Sequence, residues 1–92
     1  IGAIICSTGT PMAMTPSLAC SVLHELSPEK GEVLMQAHDV NAACSGYMYA
    51  LQSAFDFLTN APDKKVIVIT AETLSPMVNH DDQKTKALFG DA

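Results

Sequence analysis

Positive charge is scarce in this chain. Its 92 residues carry five Lys and Arg against ten Asp and Glu, a net charge of -5. No basic cluster is present that could track successive phosphates, which excludes nucleic acid as an expected partner. Long apolar runs are missing too: no stretch reaches the roughly 18 residues needed to cross a bilayer, and nothing resembles a charged, apolar and cleavable leader. The three cysteines, Cys6, Cys20 and Cys44, are odd in number and lack CxxC spacing or paired Cys/His ligands. That pattern excludes a disulfide framework and fits free thiols in a reducing compartment. Internal repeats and low-complexity tracts are also absent. A soluble cytoplasmic protein is expected, with no membrane, nucleic-acid or metal partner.

What is present is apolar material. Hydrophobic residues make up 48% of the chain and charged residues only 16%, more than a small self-sufficient domain needs, which hints at surface normally buried against something else. The chain opens directly in "IGAIIC" and stops at "LFGDA" without a polar tail, so it reads as a piece of a larger protein.

Residues 1–6, "IGAIIC", form a continuous apolar run bounded by "STGTP", the pattern of a buried strand followed by a loop. Thr15 and Pro16 read as a helix start, a hydroxyl N-cap followed by proline at the first helical position. Leu18, Val22, Leu23 and Leu26 then fall on one helical face, and "SPEKG" (27–31) ends the element. "EVLMQAHDV" (32–40) is a second strand candidate. From Cys44 onward, Tyr47, Leu51, Ala54, Phe55 and Leu58 recur at helical spacing until "NAPD" (60–63) breaks the pattern. "KVIVIT" (65–70) is the strongest strand signal, with no polar face, as a strand covered by helices on both sides requires. Strand and helix alternate with short connections, which predicts an α/β fold of βαβαβ order, mainly a parallel sheet with helices on both faces. Residues 75–92 read as a polar loop leading into a further strand.

Around Cys44, the residues Ala42, Ala43, Ser45 and Gly46 have minimal bulk, so the backbone can turn tightly and a substrate can come close. At a strand-to-helix junction, unpaired N–H groups and the helix dipole would favour the thiolate, and the same N–H groups could stabilise an oxyanion on an attached thioester. A buried cysteine acting as a small hydrophobe is the other reading, and local composition leaves the two balanced. Cys6, inside a strand, and Cys20, on the first helix, read as packing residues. Among the histidines, His38 lies six residues before Cys44 but in a strand, and His24 has no obvious partner. "NHDD" (79–82) reads as a solvated loop, so no metal is assigned. Gly90 and Asp91, in "LFGDA", suggest a tight backbone approach to an active-site wall or to a neighbouring strand.

"DVNAACSGYMYAL" (39–51), "VIVITAETLS" (67–75) and "LFGDA" (88–92), in this order and spacing, resemble the β-ketoacyl-acyl-carrier-protein synthase III family of the thiolase superfamily. The match covers essentially the whole chain. The resemblance implies a fold of two similar βαβ-rich halves, with residues 1–92 forming the later part of the first half and the C-terminal half absent. It matches Cys44 to the family's catalytic cysteine, which accepts an acyl group from acyl-CoA. Malonyl-acyl-carrier protein then loses CO2 and attacks the thioester, giving a β-ketoacyl product in fatty acid or related biosynthesis.

Further implications concern substrate binding and assembly. Thr15 matches a position that reaches across a dimer to the acyl pocket, and Leu74 and Phe89 match positions lining that pocket. The segment 65–70 resembles a strand that pairs with its two-fold mate, so a homodimer is expected. The implied partners are acyl-CoA and acyl-carrier protein, with no permanently bound cofactor. Gln83 stands where the family commonly has an arginine that helps hold the CoA nucleotide, so no CoA-binding residue is assigned; Lys86 replaces a usually apolar residue. None of His24, His38 or His80 matches the family's catalytic histidine, which with an asparagine belongs to the second half. These 92 residues alone are therefore expected not to carry out the condensation. Alternatives are a relative that passes the acyl group to an alcohol or amine, and a non-catalytic subunit keeping the fold.

Overall fold

A computed structural model describes residues 1–26, 35–73 and 91–92. The described elements are β1 (Ala3–Ser7), α1 (Leu18–Leu26), β2 (Gln36–Val40), a 3-10 turn (Ala43–Ser45), α2 (Gly46–Asn60) and β3 (Val66–Thr70). The α/β expectation holds. The strands form a parallel sheet in the order β2-β1-β3, with Ile5 opposite both His38 and Val68.

The most apolar segment is not the central one. β1 lies between its neighbours and is buried along its whole length, whereas β3 is half-buried. Alternation along β1 then builds two separate cores, because successive side chains point to opposite faces. Ile4 and Cys6 pack with Ala19, Val22 and Leu23 of α1, and with Ile67 and Ile69 of β3. Ile5 packs with Ala50 and Ala54 of α2, and with Val66 and Val68. β3 is thus covered on both faces, as its unbroken apolar run requires.

The placement of the helices follows from the strand order. Moving from β1 to β2 and then back across β1 to β3 reverses direction within the sheet. Right-handed crossovers in opposite directions put their helices on opposite faces. In such sheets, ligands enter at the carboxyl ends of the strands, where neighbouring connections diverge. Here those ends carry residues 7–10, 40–45 and 70–73.

Three local expectations need correction. First, α1 begins at Leu18, leaving Thr15 and the cis-bonded Pro16 outside it. The caps come instead from Ser17 Oγ, which accepts from Cys20 N at 3.2 Å, and from the Asp39 carboxylate, which accepts from Leu18 N and Ala19 N, both at 2.8 Å. An ionised carboxylate on the first N–H groups is the stronger cap, and it comes from β2. Second, Leu26 is 59% exposed at the last residue of its helix, so the buried face of α1 is Ala19 flanked by Leu18, Val22 and Leu23. Third, α2 meets the sheet through Gly46, Ala50 and Ala54, while Tyr47 and Phe55 are exposed. Small residues four apart let the helix approach closely, and the bulky side chains one position further round tilt away.

Candidate active site

Cys44 sits at the carboxyl edge of the sheet, four residues past β2. It is exposed, with its thiol free. Three features of the backbone put it there. Ala43 adopts φ 48, a left-handed conformation that costs a residue with a Cβ about 1 kcal/mol and turns the chain sharply out of the strand direction. The 3-10 turn Ala43–Ser45 then runs straight into α2. Finally, Gly46 is buried against the end of β1, where a Cβ would collide with Ser7 Oγ. Only glycine lets the first turn of α2, and hence Cys44, sit this close to the strand.

The turn uses some of its own donors. Ser45 N donates to Ala42 O at 3.0 Å, and Gly46 N donates to Ala43 O. No side chain caps either the turn or α2. The N–H of Cys44 is not among these two donors. The fifteen-residue α2 directs the positive end of its dipole toward the same point.

The other thiols differ. Cys6 lies in the middle of the sheet, fully buried, and its pKa is raised from 9.0 to about 11, chiefly by burial and secondarily by the Asp39 carboxylate. Cys20 is exposed on α1, its Sγ 3.8 Å from Ala37 O.

Of the remaining predicted residues, Thr15 lies exposed in the loop between β1 and α1. Leu74, Phe89, His80, Gln83, Lys86 and Gly90 lie outside the described residues. His38 is half-buried in β2, with Gln36 Nε2 3.3 Å from its Nδ1. It lines a groove with Ser53, Asp56 and Phe57, in the second half of α2. Seven residues of helix, about 10 Å, separate Ser53 from the end that carries Cys44. The structure therefore does not bring His38 and Cys44 together. His24 is exposed at the end of α1.

Local sequence gave no sign of a polar cluster beside the site. Glu72 accepts from Gly9 N at 2.8 Å and from Thr10 Oγ1 at 2.9 Å, across more than sixty residues. Asn41 approaches Gly9 as well, its Oδ1 3.4 Å from where a Cβ at Gly9 would lie, with both Glu72 carboxylate oxygens 3.8 Å from that point. The signal available in the sequence was positional: a carboxylate two residues after a strand whose sheet neighbour, β1, is followed by Thr8, Gly9 and Thr10.

The family model for 3-oxoacyl-[acyl-carrier-protein (ACP)] synthase III matches residues 38–92, the stretch from mid-β2 through Cys44 to the last residue. The chain belongs to the 3-oxoacyl-[acyl-carrier-protein] synthase III family. It is 47% identical over 88 residues to β-ketoacyl-[acyl-carrier-protein] synthase III of Oleidesulfovibrio alaskensis, covering 96% of this chain and 26% of that protein. With the protein of the same name from Xanthomonas campestris pv. campestris it shares 44% over 91 residues, 99% of this chain and 27% of the relative. The crystal structure of 3-oxoacyl-[acyl-carrier-protein] synthase III from Aquifex aeolicus VF5 superposes with a TM-score of 0.85 at 42% identity, over 99% of this chain and 28% of that one. The Thermus thermophilus structure gives 0.81 at 33%, over 99% and 27%. The fold is accordingly thiolase-like α/β, and the chain spans about a quarter of the length of the relatives it matches. Among the described residues, no helix is long and apolar enough to cross a membrane.

Proposed function

We propose that the protein carrying this chain is a β-ketoacyl-acyl-carrier-protein synthase III, with Cys44 as its acyl acceptor. The observation that carries this reading is the setting of Cys44: an exposed thiol on a left-handed turn at the positive end of α2, in the segment that matches the family. In the first step the Cys44 thiolate attacks the thioester carbonyl of acyl-CoA, the oxyanion gathers on the Cys44 N–H, and CoA leaves as its thiolate. In the second, malonyl-acyl-carrier protein loses CO2. The resulting carbanion attacks the acyl carbonyl, a carbon–carbon bond forms, and Cys44 is released.

The groups that assist decarboxylation belong to the remaining three quarters of the enzyme. Residues 1–92 then form the later part of its N-terminal half. No permanently bound cofactor is required, since both reactants arrive as thioesters. Free exposed thiols at Cys20 and Cys44 suit a cytoplasmic enzyme.

Thr15 is proposed as an acyl-pocket residue acting across a homodimer. The sheet order bears on how that dimer forms. Thr15 lies three residues before a helix whose first N–H groups are held by Asp39 of β2, so the edge of β2, not that of β3, lies beside the Thr15 loop. Two-fold pairing is therefore proposed through the β2 edge. Light scattering of the intact protein at micromolar concentration should give a dimer mass, and a monomer would remove this part of the reading.

Incubating the intact protein with radiolabelled acyl-CoA tests the chemistry. One acyl group per chain, lost on Cys44→Ala, is expected; failure of the wild type to take up label would favour a non-catalytic module.

A further inference from the structure

Glu72 lies two residues past β3, at the carboxyl edge of the sheet. Its side chain makes contacts that no strand pairing demands. The carboxylate takes both Gly9 N, at 2.8 Å, and Thr10 Oγ1, at 2.9 Å, from the loop that follows β1. Thr10 Oγ1 in turn accepts from Thr73 N at 2.7 Å, so the hydroxyl is held from both sides. Meanwhile the backbone of Glu72 exchanges two hydrogen bonds with Ala92, Ala92 N donating to Glu72 O at 2.8 Å and Glu72 N donating to Ala92 O. One residue thus joins three separate stretches of chain. The loop after β1 runs on to Thr15, and Gly9, which Glu72 holds, lies against Asn41, three residues before Cys44.

The chemistry suits a fixed clasp. Glu72 is half-buried, and hydrogen bonds to a carboxylate are stronger than neutral ones, so this one side chain can hold the loop beyond Thr8, whose own N–H still donates to Val40 O of β2 at 3.1 Å. Loop residues at the carboxyl edge of such a sheet shape the mouth of the site, where small displacements have large kinetic consequences.

We propose that Glu72 is a positioning residue for the acyl site: its carboxylate clasps the loop after β1 onto the end of β3, and so fixes the wall against which the acyl donor binds beside Cys44. This rests on the acyl-transfer reading of Cys44. Glu72 touches no reacting atom, so its loss should weaken binding of the donor while leaving the chemical step largely intact.

The test uses the intact enzyme and its Glu72→Ala, Glu72→Gln and Thr10→Val variants, with acyl-CoA of several chain lengths as the probe. Acylation of Cys44 is followed by mass, and amide exchange is followed at Gly9 and Thr73. For Glu72→Ala the expected result is a KM for acyl-CoA raised about 10-fold, a kcat changed less than about 2-fold, a flattened preference among chain lengths, and exchange faster by about 10-fold. Glu72→Gln keeps one carbonyl acceptor and should recover most of the loss. Thr10→Val removes a single hydroxyl and should show a smaller change of the same kind, which keeps the test decisive if Glu72→Ala does not fold. If the wild type acylates Cys44 while the variants keep its KM and chain-length preference, this proposal is overturned and the functional reading stands. A wild type that never acylates Cys44 overturns the functional reading, and with it the role of Glu72 toward an acyl donor.

Discussion

Cys6 and Cys44 are the same side chain in two settings produced by one sheet. Cys6 stands on the central strand with α1 packed over it, fully buried, and its proton is held to about pH 11. Cys44 follows a neighbouring strand by four residues, and everything around it favours exposure: Ala43 bends the chain through a left-handed conformation, and Gly46 lets α2 start directly behind the thiol. Reactivity here is a matter of address. A strand interior neutralises a thiol by desolvating its anion, whereas a strand end that feeds a helix offers backbone dipoles and room for a substrate.

The contrast can be broken most directly by alkylation. In the intact native protein at pH 7.5, iodoacetamide should modify Cys44 at least about 100-fold faster than Cys6, with Cys20 also accessible, and unfolding in guanidinium should erase the difference. Comparable native rates at Cys6 would mean that the central strand is not closed over.

A smaller effect is expected where the turn meets β1. Gly46→Ala places a methyl group against Ser7 Oγ, so either α2 or β1 must shift, at a cost of about 1–3 kcal/mol in stability. Acylation of Cys44 should fall with it, because the nucleophile rides on the displaced turn. A variant with unchanged melting temperature and acylation rate would show that the close approach is dispensable.

Next in size is the link between the strand that leads to Cys44 and the helix that follows Thr15. Asp39→Ala removes the acceptor for Leu18 N and Ala19 N and should destabilise the protein by about 1–2 kcal/mol, while Asp39→Asn, which can still accept, should cost less. Equal denaturant midpoints for all three proteins would deny the cap.

The pH dependence of Cys6 gives the finest test. Its folded pKa is raised above the ordinary 9.0, so the folded state keeps a proton that the unfolded chain gives up between pH 9 and about 11. That stabilisation is fully present below pH 9 and is lost as pH rises through this window, amounting to about 3 kcal/mol at most. Cys6→Ala should flatten that part of the stability profile relative to wild type, whereas an identical slope in both proteins would place the thiol in a wetter environment.

Much of this organisation is written in the sequence, and the parts that are not share a cause. The apolar runs at 1–6 and 65–70 and the helical spacing after Cys44 announce their elements, because periodicity is a local property. The buried face of α2 escapes that logic: contact is made by Gly46, Ala50 and Ala54, whose smallness matters more than their hydrophobicity, while Tyr47 and Phe55 advertise a core they do not join within this chain. The cap of α1 escapes it too. Thr15 and Pro16 carry the local signature of a helix start, but a carboxylate twenty residues later, at Asp39, sets the first turn. Glu72 is hidden for the same reason, since its partners lie more than sixty residues away. At the candidate site, the small neighbours of Cys44 left packing and nucleophile balanced; its exposure and the left-handed turn before it come from the fold, as does the groove that takes His38 toward the second half of α2.

The central claim is that Cys44, and neither other thiol, receives an acyl group. It is tested most directly by incubating the intact protein with acyl-CoA, digesting it, and locating the acyl mass shift by tandem mass spectrometry, with Cys44→Ser as control. The account predicts a single hydroxylamine-labile thioester on the peptide containing Cys44, absent from the variant. An acyl group found on Cys20, or no acyl-enzyme at all, would contradict it.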